Sequence, residues 1–346
     1  MQNRKGWSVM TPKERVFARL QGQPVDKTPN FSIVMLFAAK YAGIPYGQFA
    51  TDYRSLVKAQ TETAVAFGLD ILSTMSDPFR ETADFGARIT FPHDDLPRCE
   101  SLLLGEASDW RKLKPLDPLS SVRMLDRIRA VDLFRKNVGD AYPVLGWVEG
   151  PWAEFNDLAS VNEGMMMLYD DPDEVNEALN FIAEQEIRCA LAQVDAGADI
   201  IGIGDAVASL VNEQTYREVF MPAEMKVIHA VHQRGAKVKL HICGNINHLI
   251  ADMVDTGADI VDIDYMVDYD KAIALAENKC SVCGHINPAQ TLLNGSVEDV
   301  KAATRFCVEH GNARSIVSSG CEVPPMTDHE NLKAIDAVLW ELAAKI

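Results

Sequence analysis

The stretches KVKLHICG (237–244) and ADIVDIDY (258–265) decide the fold. Each is a short apolar run rich in valine and isoleucine, which is typical of a strand buried on both faces. The segment between them carries apolar residues at helical spacing and ends at Gly257, and glycine commonly terminates helices. Strand, helix and strand in this order indicate a βαβ unit with parallel strands.

The same alternation of strand-like and helix-like segments continues along the chain. Further strand-like runs occupy residues 28–36, 69–77, 143–150, 198–206, 279–288 and 314–321. With the two quoted stretches they give eight βα units, which in a chain of 346 residues predict an α/β fold, the (β/α)8 TIM barrel. We predict a single domain over residues 1–346, with a helical lead-in at 1–27 and an inserted hairpin and loop at 82–125.

The composition is that of an ordinary globular protein. Apolar residues make up 47% of the chain, charged residues 24%, and the net charge is −17. This charge repels nucleic acids and anionic membranes, so we expect neither as a partner. The N-terminus lacks the apolar core of a signal peptide, and the cysteines number seven, which is odd. We therefore predict a cytoplasmic protein with free or metal-bound thiols.

A histidine and two cysteines lie where a barrel carries its chemistry, at the carboxyl ends of strands. His241 and Cys243 close one strand, and because residues i and i+2 of a strand share a face, both can point into the barrel mouth. Cys321 closes the last predicted strand, and Asp264 closes a strand between them. The fold is therefore expected to bring these four residues together as a metal site.

Two thiolates and an imidazole favour zinc among the abundant divalent ions. Such a set leaves one coordination position open, and the two thiolates balance the charge of Zn²⁺, so a further thiol could bind as a nucleophilic thiolate. A water-activating hydrolase more often uses histidine and carboxylate ligands, which makes hydrolysis the less favoured interpretation. The site is suited to the activation of sulfur.

Other strand-end residues are weaker candidates. Glu149 and Asp205 each end a strand and could orient a substrate or transfer a proton, as Asp264 could, but a carboxylate at this position equally often caps a neighbouring helix. Cys280 and Cys283 form a CxxC sequence. In a strand this spacing turns the two side chains to opposite faces, so we interpret both as structural.

Several sequence motifs resemble those of a known family. The His-x-Cys pair, the distant cysteine in GCEVPP (320–325), GHINP (284–288) and the lead-in TPKERVFARLQGQPVDKTP (11–29) are similar to the uroporphyrinogen decarboxylase superfamily. Within it, the chain resembles the zinc-dependent corrinoid methyltransferases of the methylcobamide:coenzyme M type. The resemblance implies that His241, Cys243 and Cys321 bind zinc. An acidic residue at the position of Asp264, often glutamate, can be a further ligand in related enzymes, and the resemblance leaves open whether Asp264 is one.

The resemblance also implies a reaction: a methyl group moves between a corrinoid cofactor and a thiol or other acceptor. No segment resembles a corrinoid-binding module, so we expect the corrinoid on a partner protein. Two enzymatic alternatives remain, namely transfer from a methoxy or methylamine donor to cob(I)alamin on a corrinoid protein, and uroporphyrinogen decarboxylation. The residues that follow the first strand, 31–50, contain no arginine to bind the carboxylates of a porphyrinogen. A third alternative is a non-catalytic, zinc-stabilised partner of a corrinoid protein.

Overall fold

A curved sheet of seven parallel strands forms the centre of the molecule in the computed structural model, which describes residues 9–344. The sheet order is β1-β4-β5-β6-β7-β8-β9. Its strands are β1 (Leu72–Ser73), β4 (Val144–Glu149), β5 (Ile200–Gly204), β6 (Lys237–Ile242), β7 (Ile260–Ile263), β8 (Ser281–Ile286) and β9 (Ile316–Ser319). A separate antiparallel hairpin consists of β2 (Ile89–Thr90) and β3 (Arg98–Cys99). Because neighbouring strands of the sheet are parallel, their carboxyl ends share one rim.

The segment 28–36 closes the barrel between β9 and β1, although it is not the regular strand that the sequence predicts. Asn30 forms an isolated parallel bridge with Val317 and accepts a hydrogen bond of 2.9 Å from the backbone N–H of Asp70. A longer ladder does not form because Pro29 has no N–H and the side chain of Asn30 accepts the N–H of Ser32 at 3.1 Å. The predicted (β/α)8 barrel is confirmed, with this short bridge in one strand position.

Helices cover the outside of the sheet. In chain order they are α1 (Pro12–Leu20), α2 (Leu36–Tyr41), α3 (Tyr46–Thr51), α4 (Tyr53–Phe67), α5 (Arg80–Phe85), α6 (Val122–Val138), α7 (Pro151–Ala159), α8 (Val161–Asp170), α9 (Pro172–Asp195), α10 (Glu213–Thr215), α11 (Met221–Gln233), α12 (Ile250–Asp255), α13 (Tyr269–Ala276), α14 (Val297–Glu309) and α15 (His329–Ala343). None of these helices in the described part of the chain is long and apolar enough to cross a membrane.

The two features predicted outside the barrel repeat are present. Helix α1 lies in the lead-in and begins with a capping box between Thr11 and Glu14, while residues 1–8 of the lead-in lie outside the described residues. The hairpin β2–β3 lies within the predicted insertion at 82–125. The insertion is shorter than predicted, because its first residues belong to α5 and its last to α6.

Apolar side chains pack on both faces of the sheet, as the unbroken apolar runs predict. One cluster fills the barrel interior around Trp147, and a larger one lies between the sheet and the helices. Cys283 belongs to the interior cluster and Cys280 to the outer one, in agreement with the opposite faces expected from their spacing. Both side chains are therefore buried, and the thiol of Cys283 also contacts Asp262 and Ser318.

A buried ion network ties the lead-in helix to the barrel. Arg15 pairs with Asp26 at 2.6 Å and also contacts Asp70, which in turn lies 3.0 Å from the ammonium group of Lys27. Asp70 also accepts the backbone N–H of Asn30 at 2.8 Å. The network thus holds the bridge segment, where the barrel closes.

Replacement of Asp70 by asparagine should destabilise the fold. The variant removes the carboxylate that both Arg15 and Lys27 contact. Because loss of one partner from a buried ion pair leaves a buried charge, the free energy of unfolding should fall by about 3 kcal/mol. Urea denaturation followed by circular dichroism should show this loss, whereas Asp140→Asn, the same change at an exposed position, should have little effect. Equal unfolding midpoints for both variants would contradict a stabilising role of the network.

Candidate metal centre

The three sulfur and imidazole side chains predicted as ligands converge at the carboxyl rim. His241 lies near the end of strand β6, and Cys243 is the first residue after it. Cys321 lies two residues after the end of β9. Nε2 of His241 lies 3.0 Å from Sγ of Cys243, and the two sulfur atoms are 3.6 Å apart. All three ligand atoms lie within 4.8 Å of one another. The sequence prediction that the fold brings these residues together agrees with this geometry.

The spacing of the three atoms fits a tetrahedral zinc ion. Zinc bonds of about 2.3 Å to sulfur and about 2.0 Å to nitrogen place two tetrahedral sulfur ligands about 3.8 Å apart and a sulfur and a nitrogen about 3.5 Å apart. The sulfur–sulfur distance of 3.6 Å is close to the first value, and the sulfur–nitrogen distance of 3.0 Å is slightly below the second. Small side-chain movements would therefore be sufficient for metal coordination.

The ligands share protons when no metal binds them. The hydrogen bond from Cys243 lowers the pKa of Cys321 to about 4, and His241 acts in the same direction. The same hydrogen bond, together with burial, raises the pKa of Cys243. Burial would lower the pKa of His241, but the carboxylate of Asp262 and the thiolate of Cys321 raise it to about 10. A metal ion would replace these shared protons, so metal binding must release protons.

A buried ion pair supports His241 from behind. Asp262 lies opposite His241 on β7, and its Oδ2 is 2.8 Å from Nδ1 of the imidazole, close but poorly aligned for a hydrogen bond. The ammonium group of Lys239 contacts the same oxygen, and Lys239 and Asp262 are both almost completely buried. Burial would raise the pKa of Asp262, but Lys239 and His241 lower it to about 2. The imidazole is thus oriented with Nε2 toward the sulfur atoms.

Asp264 lies beside the ligand set and braces the loop after Cys243. Its two carboxylate oxygens accept the backbone N–H groups of Gly244 at 2.8 Å and Tyr265 at 2.7 Å. Burial is the main reason why the pKa of Asp264 is raised. Its oxygens are not among the three atoms that converge within 4.8 Å. In this arrangement Asp264 positions the backbone next to a candidate ligand.

A cavity of about 210 Å³ opens next to the cluster. Its wall is apolar on one side, with Ile33, Met35, Met75, Pro78 and Trp147. Three acidic residues, Asp77, Glu149 and Glu322, also line it, together with His241, Cys243 and Cys321, but the carboxylate of Asp77 is completely buried against Arg123. The cavity is smaller than the roughly 300–1,000 Å³ typical of drug-sized ligand pockets, so it fits a small substrate.

The other two candidate carboxylates have different surroundings. Glu149 lines the cavity, 2.5 Å from Arg80 and 3.2 Å from the indole N–H of Trp147, and burial raises its pKa to about 8. Asp205 is fully buried and accepts the backbone N–H of Ala153 at 2.8 Å, which caps the start of α7. Asp205 therefore has the helix-capping surroundings that the sequence left open, and Glu149 alone of the two faces the cavity.

Sequence reasoning missed several side chains around the cavity. Lys239 and Asp262 are charged residues within otherwise apolar strands, and the sequence analysis did not consider them. Lys239 precedes His241 by two positions and Asp262 precedes Asp264 by two, so each shares a strand face with a candidate residue, which is the signal that could have identified it. Glu322 directly follows Cys321 and accepts the backbone N–H of Leu36 at 2.8 Å, and burial raises its pKa to about 7. Asp77, at the end of a predicted strand, had the same strand-end signal as Glu149.

Fold and site together define a TIM-barrel protein with a histidine and two cysteines clustered at the mouth of the barrel. The sequence matches the uroporphyrinogen decarboxylase (URO-D) family over residues 11–339, and the chain belongs to that family. This confirms the resemblance drawn from the motifs.

The known relatives are of two kinds. The chain is 28% identical to the methylcobamide:CoM methyltransferase MtaA of Methanosarcina barkeri over 97% of its own length and 100% of the relative. It is also 28% identical to the uroporphyrinogen decarboxylase of Synechococcus sp. (strain CC9605), but over only 64% of each chain. A solved structure described as a methyltransferase from Methanosarcina mazei superposes with a TM-score of 0.88 at 27% identity, covering 96% of this chain and 99% of that one. The match to methyltransferases is thus the more complete.

Loss of the carboxylate behind His241 should weaken metal binding without removing a ligand. We expect Asp262→Asn to lower the affinity for added Zn²⁺ by about 10- to 100-fold, because the imidazole loses its orienting partner. Competition with a chromophoric chelator measures this affinity. Asp255→Asn, the same change at an exposed position, serves as the control, and equal zinc affinities in both variants would exclude an orienting role for Asp262.

Proposed function

We propose that this protein is a zinc-dependent methyltransferase that moves a methyl group between a corrinoid on a separate protein and a small thiol or other acceptor. The observation that carries the proposal is the convergence of His241, Cys243 and Cys321 on one edge of a small cavity. Three protein ligands leave the fourth tetrahedral position open, and the neighbouring cavity can admit a substrate to it. The methyltransferases among the relatives, matched over nearly the whole chain, support the same function.

Zinc held by these three residues would lower the pKa of a bound thiol from its free value of about 8.5, so that the thiolate predominates. The chain supplies the remaining conditions. The imidazole of His241 is oriented by Asp262, and the apolar wall around Trp147 and Met75 limits access of water to the sulfur. Asp264 holds the backbone that follows Cys243, so the ligand geometry is fixed before the substrate arrives.

The methyl group would enter from the open side of the barrel, where a corrinoid protein can approach the rim. The acceptor sulfur would attack the methyl carbon, forming a carbon–sulfur bond, and the carbon–cobalt bond would break with its electron pair remaining on cobalt. In the alternative reaction, cob(I)alamin would attack the methyl carbon of a methoxy or methylamine donor, forming a carbon–cobalt bond, and the carbon–oxygen or carbon–nitrogen bond would break with its electron pair remaining on the oxygen or nitrogen, which takes up a proton from solvent. A cytoplasmic location suits this site, because all described cysteines are free and thiolate ligands must remain reduced.

Decarboxylation of uroporphyrinogen is poorly supported. Among the residues that the structure describes, no lysine or arginine contributes to the cavity wall, whereas Glu149 and Glu322 do. A porphyrinogen with eight carboxylates would meet repulsion there instead of ion pairs. The decarboxylase relatives also match a smaller part of the chain.

Zinc content should depend on the two clustered cysteines and not on the CxxC pair. The purified protein should contain about one zinc per chain, and Cys243→Ala or Cys321→Ala should lose most of it, because each removes one of three protein ligands. Cys280→Ser and Cys283→Ser are the matched controls, and elemental analysis should find their zinc content unchanged. Retention of full zinc content in a Cys243→Ala/Cys321→Ala double variant would contradict the assignment of the ligands.

Methyl transfer should be visible in the absorption of the corrinoid. With methylcob(III)alamin and a panel of thiols, the zinc-loaded protein should convert the methylcobalt spectrum to that of cob(I)alamin. With cob(I)alamin and methoxy or methylamine compounds, the change should run in the opposite direction if the chain catalyses demethylation. Free cobalamin lacks the docking contacts of a corrinoid protein, and misplacement by about 1 Å can cost about 100-fold in rate, so a slow reaction is expected.

The rate should disappear in His241→Ala and after chelation. Unchanged spectra in both panels, even with corrinoid proteins supplied, would contradict methyl transfer. Consumption of uroporphyrinogen by the zinc-free protein would support the decarboxylase alternative instead.

A further inference from the structure

The charge of the cavity next to the candidate zinc site is unusual for a pocket that would take an anionic thiol. Asp77, Glu149 and Glu322 line its wall, although the carboxylate of Asp77 is completely buried against Arg123. Within the described chain, no lysine or arginine side chain forms part of this wall. A bound anion would therefore have carboxylates as neighbours and no cation to pair with.

The basic side chains just behind the wall are already committed to acidic partners. Arg80 is completely buried, bonds Glu149 at 2.5 Å and also contacts the backbone carbonyl of Asp77. Arg123 bonds the carboxylate of Asp77 at 2.6 Å. An incoming anion would have to displace a carboxylate from one of these buried pairs, which leaves a buried charge without its partner.

The third buried cation near the site is also neutralised. Lys239 contacts Asp262, and both side chains are almost completely buried. The cluster itself would be neutral with zinc, because two thiolates balance Zn²⁺. Within the described residues Glu322 has no ion-pair partner, and it accepts backbone N–H groups at the start of α2. Each of the three cations is therefore already paired, and none of them is free for an incoming anion.

From this arrangement we infer that the small substrate of the cavity is uncharged or cationic, and that anionic thiols such as coenzyme M (2-mercaptoethanesulfonate) are disfavoured. This inference rests on the proposed function, since it concerns the molecule whose sulfur or methyl group reaches the zinc. It separates this chain from the CoM methyltransferases to which it is similar. The apolar part of the wall, with Met35, Met75 and Trp147, accommodates the uncharged portion of such a substrate.

Three thiols of equal length and different charge test the inference. Cysteamine carries an ammonium group, 2-mercaptoethanol a hydroxyl group and 2-mercaptoethanesulfonate a sulfonate group. Isothermal titration of the zinc-loaded protein at mildly alkaline pH, corrected for the thiolate fraction of each compound, gives three dissociation constants. We expect the sulfonate to bind about tenfold or more weakly than the other two, because it finds no free cation to pair with in a partly buried site.

Two variants connect the difference to the wall. Glu322→Gln removes one negative charge. It should reduce the ratio of the dissociation constants of the sulfonate and 2-mercaptoethanol about tenfold. Glu330→Gln, the same change at an exposed position on α15, should leave this ratio of dissociation constants unchanged.

The outcomes distinguish the two proposals. Equal or tighter binding of the sulfonate by the unmodified protein would overturn the inference about charge and leave methyl transfer intact. If the ratio of the dissociation constants of the sulfonate and 2-mercaptoethanol is the same in Glu322→Gln as in the unmodified protein, the claim that Glu322 disfavours anionic thiols is wrong. Failure of all three thiols to bind would contradict the thiol-activating function itself, and with it the charge inference.

Discussion

The contact between Lys239, Asp262 and His241 is the interaction on which the site depends. Two ionised groups inside a barrel are stable only as a pair, and here Lys239 compensates the charge of Asp262. The carboxylate can then stay ionised next to the imidazole, which it orients toward the two sulfur atoms. Because β6 and β7 hold these residues in register, the sheet fixes the position of His241, the candidate ligand on β6.

The same principle of paired charges extends around the mouth of the barrel. Arg80 pairs with Glu149 and Arg123 with Asp77, so two of the acidic residues that line the cavity belong to neutral pairs. Such pairing leaves Arg80, Arg123 and Lys239 without an uncompensated charge beside the three candidate ligands.

Much of this architecture could be predicted because parallel strands end at one rim. His241 and Cys243 lie at the end of one strand, and Cys321, 78 residues beyond Cys243, follows another, so the shared rim of the sheet brings the three together. The segment 28–36 was predicted less well, since the Asn30 side chain and Pro29 replace ladder hydrogen bonds that an apolar run suggests. Glu149 and Asp205 carried the same strand-end signal. Only the position of α7, whose first N–H groups meet Asp205, separates them.

The number of sulfur ligands on zinc, measured by X-ray absorption at the zinc edge, tests the central claim most directly. The claim is that zinc is held by His241, Cys243 and Cys321 with one position open to a substrate thiol. The resting protein should then show two sulfur ligands and one imidazole nitrogen, and addition of 2-mercaptoethanol should add a third sulfur at about 2.3 Å. A zinc ion without sulfur ligands, or a sulfur number that does not change when the thiol is added, would contradict the claim.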